Sequence, residues 1–200
     1  LYVLAFLLAA FSWLRPTSRW AWKAVGIAMA AATAVLVAGI VVRCIRRSRP
    51  PVSTLYETVL FVTATVALTT LVIEWINRKR IAISLGALLG AAGMFLAGSY
   101  ERMDGQDTMP TLVAVLDTNF WLSTHVTTVT MGYAAALLAG GLAHVYLLGK
   151  LFRLRRNDPT FYRNLARMVY GVICFGLLFS IVGTILGGVW ANESWGRFWG

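Results

Sequence analysis

The residues best suited to chemistry are two histidines and a group of tryptophans near residue 200. The chain of 200 residues has only two histidines, His125 and His144. Imidazole is a common axial ligand of haem iron, and aromatic rings can pack against a porphyrin face. The aromatic group, called here the tryptophan cluster, consists of Trp190, Trp195 and Trp199. A histidine beside this cluster would supply half of a haem site.

The two histidines cannot serve one small ligand. They are 19 residues apart in one apolar run, which corresponds to about 28 Å along a helix at about 1.5 Å per residue. His144 lies near Tyr146 and Lys150, where it can hydrogen-bond within a helix bundle or contact headgroups. His125 is therefore the candidate iron ligand, with Trp121 one helical turn before it as a candidate neighbour.

Residue types alone leave two interpretations of the tryptophans open. Trp favours the depth of the membrane interface, so these residues could serve only as anchors, and Trp121 could belong to the same aromatic belt. Alternatively, they form a flat platform for a planar ligand. If the stretch is helical, Trp195 and Trp199 share a face because they are four residues apart.

Other kinds of chemistry have little support. No nucleophile–base pair, phosphate loop or acidic metal cluster stands out, and Cys44 and Cys174 form no C-x-x-C motif. Thr54 and Glu57 have the spacing of a capping box. Glu74 can pair with Arg78 at i,i+4. The carboxylates thus have structural explanations.

The composition predicts an all-α polytopic integral membrane helical bundle. Hydrophobic residues make up 58% of the chain and charged residues 13%, and a helix that crosses a bilayer needs about 20 apolar residues. We predict a single membrane domain over residues 1–200 with about six transmembrane helices. The predicted spans cover approximately residues 1–14, 24–42, 55–75, 81–100, 119–149 and 168–189. We expect a fragment of a longer protein, because the chain begins inside an apolar run.

The distribution of positive charge predicts the orientation of the bundle. Twelve of the 18 Lys and Arg residues lie in one set of alternate connections, 15–23, 78–80 and 150–167, which the positive-inside bias places in the cytoplasm. The cluster of arginines in 43–49 argues for the opposite orientation. We favour the first, which puts loop 101–117, His125 and the tryptophan cluster outside. The basic excess indicates membrane loops, and we predict no nucleic-acid partner.

Three segments resemble one known family. Residues 50–58 (PPVSTLYET), 120–126 (FWLSTHV, followed by Gly132-Tyr133-Ala134) and 187–200 (GGVWANESWGRFWG) resemble motifs of the CcsA/ResC cytochrome c biogenesis proteins. The last resembles the opening of their tryptophan-rich WWD signature. This resemblance covers about residues 50–200.

The resemblance implies a haem-handling component of a cytochrome c synthetase (haem lyase) complex of system II in the bacterial cytoplasmic membrane. Haem b would be moved to the periplasmic face, held there, and joined to the C-x-x-C-H motif of an apocytochrome c. By this resemblance His125 is an axial ligand of the haem iron, and the tryptophan cluster belongs to the external WWD-like segment 187–200. A CcsB/ResB-type membrane partner or fused domain is implied as well.

The chain departs from the family pattern in what it lacks. It stops before the W-D-P-K-E end of the signature, and it lacks the family's second external histidine and its intramembrane histidine.

The haem propionates have candidate partners in Arg197 and, in addition, Arg102 or Arg49, on grounds of charge and predicted side. The alternative functions are a haem or small-molecule transporter without synthetase activity and a structural membrane scaffold.

Overall fold

The computed structural model describes residues 1–15, 17–104, 119–155 and 158–198, and it is helical with no strand among them. Most of loop 101–117 therefore lies outside the described residues. The elements are α1 (Tyr2–Leu14), α2 (Arg19–Arg47), α3 (Leu55–Asn77), α4 (Ile81–Asp104), α5 (Asn119–Trp121), a π-helical segment (Leu122–Val126), α6 (Thr127–Leu151) and α7 (Pro159–Trp195). The predicted all-α class is confirmed.

Five helices are long and apolar enough to cross a membrane: Arg19–Arg47, Leu55–Asn77, Ile81–Arg102, Ser123–Leu151 and Pro159–Trp195. Helix α1 is apolar but has 13 residues, fewer than the roughly 20 that a span requires. Helix α7 has 37 residues and is about 56 Å long at 1.5 Å per residue. It is therefore longer than the hydrocarbon core, which is about 30 Å thick.

The helices pack as two connected groups. The first buries apolar side chains of α1, α2, α3 and α4, and the second buries those of α3, α4, α6 and α7. Leu138, Leu142 and Leu165 are fully buried in the second group. Because α3 and α4 contribute to both groups, they connect the helix pair α6–α7 to the rest of the bundle.

One end of the bundle, called here the basic end, carries the connections that follow α1, α3 and α6. Contacts between residues far apart in sequence hold it together. The Trp13 indole donates a hydrogen bond to the Ser84 hydroxyl over 3.0 Å, and Arg155 lies 5.6 Å from the Trp13 ring centroid. Glu74 does not pair with Arg78, because α3 ends at Asn77 and Arg78 is left-handed with φ 51°. Its carboxylate instead accepts from the backbone N–H of Arg80 over 2.7 Å.

The segment before α3 forms the predicted cap and an additional ion pair. The Thr54 hydroxyl accepts from the backbone N–H of Glu57 over 3.2 Å, which satisfies a free amide of the first turn. The Glu57 carboxylate accepts from the Ser53 backbone N–H over 3.1 Å and from the Ser53 hydroxyl. It also pairs with the Arg43 guanidinium of α2 at 3.2 Å. Glu57 therefore joins α2, α3 and the connection between them.

We expect Glu57→Ala to lower the free energy of unfolding by on the order of 3 kcal/mol, because it leaves the Arg43 charge without this partner in a largely buried position. The side chains of Arg43 and Glu57 are only 18% and 10% exposed. Denaturation in detergent micelles measures the change. The control is Glu101→Ala at an exposed position of α4, which should shift stability by no more than about 0.5 kcal/mol. Equal losses in both variants would contradict the role of the ion pair.

Candidate functional site

His125 lies in the π-helical segment Leu122–Val126, directly before α6. A π turn inserts an extra residue into an α-helix, shifts the side chains around the helix axis, and frequently occurs at functional sites. The His125 ring is half-buried, and its Nδ1 lies 2.7 Å from the backbone carbonyl oxygen of Gly183 in α7. This contact crosses 58 residues of sequence and joins the segment to α7.

The hydrogen bond to Gly183 determines which nitrogen of His125 carries a proton when the ring is neutral. A carbonyl oxygen can only accept, so Nδ1 must be the donor. The proton is then absent from Nε2, whose lone pair is available to a metal. Among the described residues no hydrogen bond uses Nε2. Metal-binding histidines commonly donate their other N–H to a carbonyl or carboxylate in this way, which fixes the ring orientation.

Two glycines of α7 allow the histidine segment and α6 to approach closely. A Cβ at Gly187 would lie 2.6 Å from His125 Cε1, and one at Gly183 would lie 2.9 Å from the backbone Cα of Val129. The two glycines are four residues apart and therefore share a helix face. Small residues at this spacing allow the backbones of membrane helices to approach closely. The motif Gly183-x-x-x-Gly187 is the sequence signal that could have predicted this close approach of the helices.

Two indole rings complete a group with the imidazole. Trp121 and Trp190 have ring centroids 6.4 Å apart and an interplanar angle of 16°, so the rings are stacked. The Trp190 centroid is 5.8 Å from that of His125, with the planes at 52°. Trp121 is buried, whereas Trp190 is partly accessible. We call these three residues the imidazole–indole group.

The end of α7 turns back over the helix. Gly196 ends it with φ 70°, and its N–H donates to the Asn192 carbonyl over 2.9 Å. Phe198 then lies against Gly188, where a Cβ would come within 2.4 Å of the Phe198 ring. Glycine at 188 is required for this approach. Sequence reasoning assigned no role to Phe198 or Gly188.

The remaining candidate residues lie apart from the imidazole–indole group or outside the described part of the chain. Trp195 is 61% exposed and has no ring contact with another described residue. Arg197 is exposed as well, and Trp199 lies outside the described residues. The haem-binding roles of all three stay predictions. Arg102, likewise exposed, contacts Ser99 of its own helix at 3.5 Å.

His144 is separate from the imidazole–indole group. It is exposed on α6, and its Nδ1 lies 2.7 Å from the Gly140 carbonyl oxygen of the same helix. This bond leaves Nε2 of His144 open just as it does in His125, but it does not reach a second helix, whereas the His125 ring bonds α7 and lies beside Trp190. The interpretation of His144 as a hydrogen-bonded residue of the bundle agrees with this geometry.

The fold and the site define a helical integral membrane protein with a histidine and two tryptophans assembled at the start of α6 and the end of α7. The chain belongs to the cytochrome c assembly protein family, whose sequence model matches residues 52–200. That match includes the histidine segment, the tryptophan-rich segment and most of segment 50–58. The resemblance on which the sequence analysis relied is thereby confirmed.

Individual relatives agree with the family match. The chain is 30% identical to Protein NrfI of Wolinella succinogenes over 80% of this chain and 17% of that protein. It is 27% identical to the cytochrome c biogenesis protein CcsA of Chlamydomonas reinhardtii, over 86% of this chain and 50% of the relative. For CcsA of Synechococcus sp. (strain CC9902) the identity is 29%, over 88% and 66%. The chain thus spans two thirds or less of each of these relatives.

Proposed function

We propose that this chain binds haem b and presents it at the outer membrane face for covalent attachment to apocytochrome c, with His125 as an axial ligand of the iron. The observation that carries the proposal is the bond from His125 Nδ1 to the Gly183 carbonyl, because it leaves Nε2 for a metal. Membership of the cytochrome c assembly family supports haem as the metal-bearing ligand. Because the chain spans only part of its relatives, the second axial ligand is expected from a segment beyond these residues.

The remaining members of the group would orient the haem rather than react with it. Trp190 is partly accessible and adjacent to His125, so its ring is suited to pack beside the porphyrin. The buried Trp121 stacks on Trp190 and would keep that ring in place. Haem supplies the reactive centre: each thiol of a C-x-x-C-H motif adds its sulfur and its hydrogen across one vinyl group. The protein's contribution is position and electrostatics. A catalytic triad is therefore not required.

The orientation of the bundle is part of the proposal. Twelve of the 18 basic residues lie in the segments 15–23, 78–80 and 150–167. The connections at the basic end belong to these segments, which supports a cytoplasmic location for that end. His125 and Trp190 would then face the periplasm, where the apocytochrome would be located. Arg197 would lie on the same side, where it could pair with a haem propionate. A CcsB/ResB-type protein or fused domain is the expected partner.

Co-expression of the full-length protein with an apocytochrome c tests this function. We expect covalent haem on the apocytochrome, measured by haem staining under denaturing conditions, and no covalent haem without the full-length protein. Release of haem to the outside with no covalent product would instead indicate an exporter. Absence of both, in cells that contain the folded protein, would contradict a role in haem handling and favour a structural scaffold.

We expect Trp190→Ala to lower the yield of covalent haem about two- to tenfold, which corresponds to the loss of one aromatic contact. Trp190→Phe should retain most of the yield because it keeps a ring at this position. The control is Trp75→Ala, which removes an indole that is 76% exposed near the C-terminal end of α3. If Trp75→Ala lowers the yield as much as Trp190→Ala does, Trp190 acts only as a membrane anchor.

A further inference from the structure

A cationic pocket lies at the basic end, where α6 turns toward α7. It has a volume of about 290 Å³ and is lined by Lys150, Arg153, Leu154 and Tyr162. Two of these four residues carry a positive charge, and none carries a negative charge. A pocket with this lining favours an anion over a cation or a neutral ligand.

The pocket has a defined architecture. Tyr162 is buried, with 7% of its surface exposed, and its hydroxyl donates a hydrogen bond to the Leu154 carbonyl. The Lys150 ammonium lies 4.5 Å from the centroid of the Tyr162 ring, and Tyr146 packs edge-on against the same ring at 5.4 Å. Arg153 is held in a left-handed conformation with φ 55°. Lys150 is therefore presented from a packed aromatic base, with the exposed Arg153 three residues further along the chain.

An apolar groove lies next to the pocket. It has a volume of about 450 Å³, within the range of roughly 300–1,000 Å³ typical of ligand sites. Its walls come from α1, α4, α6, α7 and the turn after α6. Most of the lining is apolar and includes Phe6, Leu88 and Leu148, and Arg155 lines it as well. Leu154 lines both the groove and the cationic pocket, so the two cavities are adjacent.

We propose that the pocket and the groove together bind one anionic phospholipid, with its phosphate at Lys150 and Arg153 and an acyl chain in the groove. Charge complementarity selects the phosphate, because basic side chains attract anionic lipid headgroups. The apolar groove favours a lipid over a free phosphate, because a free phosphate has no apolar part that could occupy the groove. The exposed Leu151 and Phe152, at 72% and 66%, flank the pocket and are suited to the bilayer interface.

The test measures lipid binding to the full-length protein in detergent micelles by native mass spectrometry, with dioleoyl phosphatidylglycerol and dioleoyl phosphatidylcholine as probes. We expect phosphatidylglycerol to be retained in preference to phosphatidylcholine. The double variant Lys150→Gln/Arg153→Gln should lower phosphatidylglycerol affinity about tenfold or more, because two charge contacts to the headgroup are lost. Leu88→Trp, which narrows the groove without a change of charge, should lower retention of the same lipid.

The matched control is Lys79→Gln/Arg163→Gln, which removes two exposed charges near the same end but outside the pocket lining. An equal loss of affinity in this control would overturn the site, since it would indicate a general surface charge effect. Equal retention of the two lipids would overturn it as well. If glycerol phosphate competes with an affinity equal to that of phosphatidylglycerol, the pocket binds a free phosphate and not a lipid. If haem displaces the lipid, the groove is a haem site.

Discussion

Replacing His125 with Ala is expected to remove most of the haem from the purified full-length protein, whereas His144→Ala should leave the haem content unchanged. The reason is that the His125 ring is fixed against α7 by its bond to the Gly183 carbonyl, has Nε2 free for iron and lies beside Trp190, whereas the His144 ring bonds its own helix and is exposed. Loss of a partner that merely orients a metal ligand typically costs 10–100-fold in metal affinity, so loss of the ligand should cost about 100-fold or more. Haem absorption bands per mole of purified protein measure the effect.

Added imidazole provides the decisive control for His125→Ala. A free imidazole can occupy the space left by the side chain and ligate the iron, so it should restore the haem bands in this variant. It cannot repair a general folding defect. Haem bands that are unaffected by His125→Ala would contradict the assignment of the ligand. A loss in His144→Ala of similar size would indicate that both substitutions disturb the bundle.

Gly187→Ala is the substitution with the second largest expected effect. The added methyl group would lie 2.6 Å from His125 Cε1 and 3.2 Å from Nε2, so the imidazole must move from its present position. Because a ligand must be held within about 0.5 Å of its productive geometry, we expect haem affinity to fall about 10–100-fold. Gly183→Ala is expected to have an effect of similar size, since its methyl group would lie 2.9 Å from backbone atoms of Val129, which cannot rotate away.

Gly171→Ala is the matched control on the same helix. A Cβ at Gly171 would have no atom within 4 Å, so this substitution should leave haem content unchanged. The midpoint of thermal unfolding separates displacement of the ring from loss of the fold. We expect Gly187→Ala to retain a midpoint close to that of the original protein. Full haem content in Gly187→Ala and Gly183→Ala would contradict the role of α7 in positioning His125.

The sequence by itself determined the class of fold and the family. A run of uncharged residues must satisfy its backbone hydrogen bonds internally in a bilayer, so long apolar runs become helices wherever they pack. For this reason the apolar run that contains His125 and the run 168–189 that precedes Trp190 could be assigned to helices without knowledge of their neighbours. The capping box of Thr54 is equally local, because the two residues that form it are three positions apart.

The tertiary structure decided which residues share a site. Trp190 and Trp195 are both in α7, yet only Trp190 contacts the His125 ring, while Trp195 is exposed. Residue types in one helix do not reveal which face a second helix covers. That face is decided by the close approach at Gly183 and Gly187, across 58 residues of sequence between His125 and Gly183, and by the π turn that rotates His125 toward them. Both depend on packing between helices, which local propensity does not encode.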